Sequence, residues 1–179
     1  TAADEALAAF PKPTVAVVRG VCVGGGAQIA VACDLRVADT TSRFGITPAR
    51  LGIVYPAGAT RRVVELIGPS ATKHLLFTAE IVDAERARRV GLIDELHEPS
   101  ELEHRVDALT QLLTTERSLL TQMASKDMVD TVVATGAVPP ATESRWRSEV
   151  ATSDDPAEGM AAFAERRAPR FTWSPPPGA

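Results

Sequence analysis

Hydrophobic and polar positions along the chain change period several times. Residues 14–23, TVAVVRGVCV, are β-branched and almost wholly apolar. Such a run predicts one strand buried on both faces, as in a parallel sheet. It stops at Gly24-Gly25-Gly26. Residues 27–35, AQIAVACDL, then place small apolar residues at helical spacing. The unit is strand, glycine turn, helix. Residues 34–46, DLRVADTTSRFGI, read as a second strand region with a polar break from Asp39 to Ser42.

Before this unit, AADEALAAF predicts a short helix ended by Pro11 and Pro13. After it, TPARLGIVYPAGATRRVVELIG reads as a loop leading into a helix that Gly68-Pro69 closes. SATKHLLFTAEIV predicts another helix and a strand-like turn, and DAERARRVG a short amphipathic helix capped by Gly91. LIDELHEP reads as a short apolar strand, and residues 101–134 as one long or two consecutive amphipathic helices. GAVPPA breaks the pattern before a helix over TESRWRSEVATS. A last helix is expected to start with Asp155 as N-cap, Pro156 at the first position and Glu158 bonding back to the cap. The tail from Thr172 is proline-rich and expected to be extended and mobile. Alternating strands and helices followed by helices alone imply an α/β core over residues 1–115 and a helical region over 116–179.

Composition narrows the function. The 179 residues carry a net charge of −4 and a pI near 5.4. This argues against nucleic-acid binding, which needs a basic face. The arginines at 86, 88 and 89 and at 166, 167 and 170 read as solvated helix faces. No run is apolar for the roughly 20 residues that a membrane span takes. The opening residues lack the basic start and apolar core of a secretory signal. The two cysteines, Cys22 and Cys33, stand apart in apolar surroundings and read as reduced, structural and not metal-binding. A cytoplasmic location is expected from this cysteine usage. His74, His97 and His104 share no motif and read as non-catalytic.

The glycine turn is the sharpest feature. Amides at a helix start lack intrahelical partners, and glycine lets a ligand approach them. Such a place suits a phosphate, a carboxylate or a developing oxyanion. The dinucleotide pattern G-x-G-x-x-G does not fit, and no G-K-[ST] follows as a Walker A loop requires. An oxyanion hole for a thioester carbonyl remains, beside a plain tight turn packed on a sheet.

A longer stretch carries more. KPTVAVVRGVCVGGGAQIAVACDLRVADTTSRFGITPARLGIV resembles the crotonase superfamily, the enoyl-CoA hydratase/isomerase family. The shared pattern is a strand ending in G-x-x-x-G-G-G, a small-residue helix, C-D-L-R-V-A, then F-G before a loop ending L-G. LFTAEIVDAERARRVGLIDELHEPSEL and EGMAAFAERRAPRF are similar to later motifs of that family, so the resemblance covers nearly all of residues 11–171. It implies an α/β fold, a crotonase-like spiral of ββα units with a C-terminal helical trimerisation region. It implies a homotrimer or dimer of trimers, and an acyl-CoA substrate with CoA carried as part of that substrate and no separate cofactor. It places the second oxyanion donor on the N–H of Gly25, beside Gly24. The first donor comes from an A-x-S-A-G-x-D-type segment, absent here and expected to precede Thr1.

Hydratases of the family carry two glutamates. The resemblance puts these positions at Gln28 and Pro48, neither of which can transfer a proton at neutral pH. Gln28 reads either as part of an altered site or as an ordinary helix residue bonded locally. TPARLGIVY is similar to T-P-x-x-L-G-x-P-Y of the methylmalonyl-CoA decarboxylase branch, with Val54 in place of its proline. There the tyrosine helps hold the substrate carboxylate, a role that would fall to Tyr55, the chain's single tyrosine. Otherwise Tyr55 is a packed ring with a satisfied hydroxyl. Arg50 reads as an anion contact or as a surface residue. Decarboxylation of a malonyl-type thioester leaves an enolate without any base, so a site without acids suits it. Hydration or isomerisation with acids from an N-terminal part expected to precede Thr1, and non-catalytic acyl-CoA binding, are the alternatives.

Overall fold

In the computed structural model the described residues are 2–176. The chain falls into two compact units, Thr1–Phe10 with Thr14–Val106, and Pro11–Pro13 with Asp107–Ala179.

The first unit opens with α1 (Ala2–Ala8), followed by β1 (Val15–Val18), β2 (Val21–Val23), α2 (Gly25–Ala30), β3 (Leu35–Asp39) and β4 (Arg43–Gly45). The apolar run 14–23 is thus two strands, not one. Gly20, at φ 71°, turns the chain between them. β1 pairs in parallel with β3, and β2 in parallel with β4, so the two halves enter different sheets. Nor is the run buried on both faces throughout. Val21 of β2 is 75% exposed. Periodicity does not reveal this, since β-branched residues suit either environment. The helix α2 is also shorter than its small-residue pattern, ending with Val31 as cap.

Beyond β4 come α3 (Pro48–Leu51), α4 (Ala57–Thr78), β5 (Ile81–Asp83), α5 (Ala84–Val90) and β6 (Glu95–His97). The expected loop at 48–51 contains the helical turn α3, started by Pro48 at its first position. α4 is two helices joined at Gly68, whose φ of 72° and ψ of 168° leave helical space just before Pro69. In α5, Gly91 takes the left-handed cap, as the sequence predicts, and Asp83 caps the other end by accepting the Arg86 amide. β5 runs antiparallel to β4, and β6 parallel to β3. Leu92 and Ile93 precede the strand rather than forming it, and fill the core instead. That core joins Val18, Cys22, Phe44, Ile46, Val63, Leu75 and Ile93.

At the outer edge of β6, Arg105 donates from Nε to Glu95 Oε2 at 2.6 Å and from Nη2 to Oε1 at 2.6 Å. His97 Nε2 lies 2.9 Å from Glu95 Oε2. The Arg105 hydrogen bonds, helped by His97, hold the Glu95 carboxyl at about 2 against an ordinary 4.5. A depressed carboxyl stabilises the fold above its unfolded value and loses that contribution as pH falls through the folded one. The Glu95→Gln variant should therefore melt lower than the parent at neutral pH. The gap should close between pH 4.5 and 2. Thermal midpoints across that range check this; a gap independent of pH would show that the charge on Glu95 contributes nothing.

The second unit holds the end of α6 (Pro99–Gln111), a π-helical turn at Leu112–Glu116, α7 (Leu119–Thr135), α8 (Pro140–Thr152) and α9 (Asp155–Glu165). The long amphipathic region is two helices, because Ser118 leaves helical geometry and caps α7 through the Thr121 amide. The start of α9 differs from its expected capping box. Asp154 is the N-cap and makes no side-chain cap bond, while Asp155 is the first helical residue. Asp155 is buried and accepts Ser118 Oγ at 2.6 Å. Glu158 accepts Arg167 and the Arg170 amide instead of returning to the cap. Long-range partners outcompeted the local box for both carboxylates. Residues 172 and 173 are not loose either. Their amides donate to Asp155 Oδ1 at 3.3 Å, and Trp173 packs beside Leu120, Met123 and Trp146. The remainder of the tail at 177–179 lies outside the described residues.

Candidate active site

β2 delivers the chain to the glycine turn. Its last residue, Val23, pairs with Gly45 at the end of β4, and the Gly24 amide extends the ladder by donating to the Gly45 carbonyl at 3.1 Å. Gly24 then takes φ 58° and ψ −114°, a conformation closed to residues with a side chain. This single torsional reversal turns the strand into α2, which begins at Gly25. Gln28 N closes the first turn on Gly24 O at 3.0 Å.

The amides of Gly25 and Gly26 make no hydrogen bond among the described residues, as expected for the first turn of a helix. Both glycines are exposed, and a Cβ built on either would meet nothing within 4 Å. Packing therefore does not demand glycine at these two positions, as it would in a turn wedged against a sheet. What glycine leaves there is open access to backbone N–H groups.

Strand pairing brings the ends of β2 and β4 together, and four of the sequence-predicted residues lie on the segments that follow them. Gly24 and Gly25 follow β2, while Pro48 follows three residues after its partner Gly45. Gln28 stands one turn along α2, on the same side as Gly25 by helical spacing. Pro48 is buried as the first residue of α3. Gln28 is half-buried, and its side-chain amide has no hydrogen bond among the described residues. The local bond that an ordinary helix glutamine would make is therefore not formed.

Tyr55 fits neither expectation fully. It is 8% exposed and sits in the core with Ala27 and Ala30 of α2. Its hydroxyl is buried and lacks a partner. Burial pushes its pKa up to about 12, so at neutral pH it is a hydrogen-bond donor and not a base. Arg50 and Val54 lie on the surface, Val54 at 93% exposure, and no ion pair ties Arg50 to any described residue. The histidines stand elsewhere. His74 meets Glu80, His97 meets Glu95, and His104 is exposed. Cys22 is buried, and burial raises its thiol to about 11. Among the described residues no group of three metal-binding side chains forms, and no helix is long and apolar enough to cross a membrane.

Two participants escaped the sequence reading. The Gly45 carbonyl anchors the turn, which only strand pairing reveals. Arg62 is buried on α4 beside Ala59 and Val63. Its signal was available: positions 59, 62 and 63 share one helical face.

Comparison with known proteins bears on the chain as a whole. The enoyl-CoA hydratase/isomerase family profile matches residues 3–174. The chain is 32% identical over 168 residues to the short-chain-enoyl-CoA hydratase of Clostridium acetobutylicum, covering 90% of this chain and 62% of that protein. A crystal structure of an enoyl-CoA hydratase/isomerase family member superposes with a TM-score of 0.91 at 37% identity, over 97% of this chain and 66% of that one. A putative family protein from Hyphomonas neptunium gives 0.87 at 37% identity, covering 96% and 65%. These structures bear out the α/β fold with its C-terminal helices. The chain spans less than two thirds of the length of these proteins. None of the three carries a decarboxylase name.

Proposed function

The chain belongs to the enoyl-CoA hydratase/isomerase family, and from that premise we propose that it contributes an oxyanion donor to an enzyme acting on acyl-CoA thioesters. The thioester carbonyl oxygen accepts the Gly25 N–H. In hydration, water adds to C3 of an enoyl thioester, the C2–C3 electron pair moves toward the carbonyl, and the enolate oxygen draws on that N–H. A proton then reaches C2. One such donor contributes about 2.7–4 kcal/mol to the transition state. The observation that carries this reading is the Gly24–Gly25 turn, with unpaired amides under open space.

The names of its relatives favour hydration or isomerisation as the reaction. Gln28 and Pro48 hold no acid, so the proton transfers fall to other groups of the whole protein. Those same two residues favour a second reading, decarboxylation of a malonyl-type thioester. There the carbon–carbon electron pair enters the enolate as CO2 leaves. Neutral Gln28, Pro48 and protonated Tyr55 would not repel the departing carboxylate. Trimeric assembly belongs to the same proposal, and Met160 and Phe163, exposed on α9, suit a face covered by another copy.

The whole protein is to be incubated separately with crotonyl-CoA and methylmalonyl-CoA, the thioesters being followed by mass spectrometry. Hydroxybutyryl-CoA is the expected product, and Gln28→Glu should raise its yield. Propionyl-CoA, reduced in Tyr55→Phe, would move decarboxylation to first place. Binding of both without turnover would leave an acyl-CoA binder and overturn the enzymatic reading.

A further inference from the structure

Arg62 is an unusual residue for the inner face of α4. It is 8% exposed, on the stripe shared with Ala59 and Val63. Its Nη2 donates to Asp4 Oδ2 at 3.2 Å and to Glu5 Oε1 at 3.1 Å, while Nη1 donates to Glu5 Oε2 at 3.2 Å. Asp4 is itself only 2% exposed. Both acids lie on α1, and the Glu5 carboxylate rests on Gly58, where a side chain would have to displace it. A two-sided ionic clamp therefore holds α1 across the first turns of α4. Such a clamp returns little net stability, because desolvation offsets the attraction; its best-attested use is to fix one geometry.

The geometry at stake is that of the site. α1 packs against α2, whose first amides form the glycine turn. Tyr55 lies two residues before α4 and shares the core with Ala27 and Ala30. Its hydroxyl feels the charges of both Arg62 and Asp4. Neither the Tyr55 hydroxyl nor Arg62 Nε has a partner, so no other polar contact fixes these groups.

We infer that Arg62 is a positioning residue, whose clamp on Asp4 and Glu5 holds α1 against α2 and α4 and thereby sets the glycine turn and Tyr55. It touches no substrate. The kinetic half of the test rests on the proposed acyl-CoA reaction; the other half does not.

The variants are Arg62→Lys, Arg62→Met and the milder Glu5→Gln, made in the whole protein because Arg62→Met also leaves Asp4 without its guanidinium. Amide hydrogen exchange is followed at Gln28–Ala30 and at residues 57–62, with β3 and β6 as internal controls. Faster exchange by about tenfold in Arg62→Met and severalfold in Glu5→Gln is expected at the first two segments. The controls should be unchanged and Arg62→Lys intermediate. On crotonyl-CoA, kcat should fall by about tenfold in Arg62→Met with KM within about twofold, and Arg62→Lys should recover part of it. Uniformly faster exchange in Glu5→Gln, or unchanged exchange at Gln28–Ala30, would overturn the inference. Local loosening in a parent protein that turns over no thioester would uphold the clamp and sink the proposed reaction instead.

Discussion

Replacing Gly25 by proline should lower kcat on an acyl-CoA thioester by about 10²–10³-fold, the cost of removing one oxyanion donor. The substitution is chosen to delete an N–H and little else. Position 25 is the first residue of α2, where proline is favoured because that N–H has no helical partner. The preceding residue is a glycine, so the proline ring finds no Cβ to strike. A Cβ at position 25 also meets nothing within 4 Å. The thermal midpoint should thus stay within a few degrees of the parent while activity collapses. Steady-state kinetics and calorimetry on the same preparation check it. Full activity in a folded Gly25→Pro protein would remove Gly25 from the chemistry.

Gly24→Ala should fail differently, through the backbone. At φ 58° and ψ −114° an L-residue is strained, at a cost of about 1–3 kcal/mol, the range for residues forced into sparsely populated backbone regions. For a domain of this size each kcal/mol moves the midpoint by about 2–4 °C. If the chain relaxes instead, the Gly24–Gly45 hydrogen bond is the contact that gives, and the Gly25 amide is re-aimed. Either way stability and kcat fall together, which separates this variant from Gly25→Pro. Matched midpoints of Gly24→Ala and parent would mean that the turn is more pliant than its torsions indicate.

Local signals carried the sequence reading where local physics decides. The Gly91 stop of α5 and the break at Gly68-Pro69 depend on neighbours within a turn. Four of the candidate site residues follow the ends of two strands that pair. Where distant partners decide, the reading slipped. TVAVVRGVCV gives no sign that its halves join different sheets, since valine serves either sheet alike. Asp155 has the right spacing for a cap, yet Ser118 and the amides of 172 and 173 claim its carboxylate. Nothing local marks the partners of Arg62, which lie 57 and 58 positions away.

The central claim is that the Gly25 N–H receives a thioester oxygen. The most direct measurement is a crystal structure of the whole protein with a saturated acyl-CoA, which cannot be hydrated. The account predicts the thioester carbonyl oxygen about 2.7–3.1 Å from Gly25 N, as oxyanion-hole geometry requires. A bound acyl-CoA whose carbonyl points away from the glycine turn, with the Gly25 amide facing water, would contradict it.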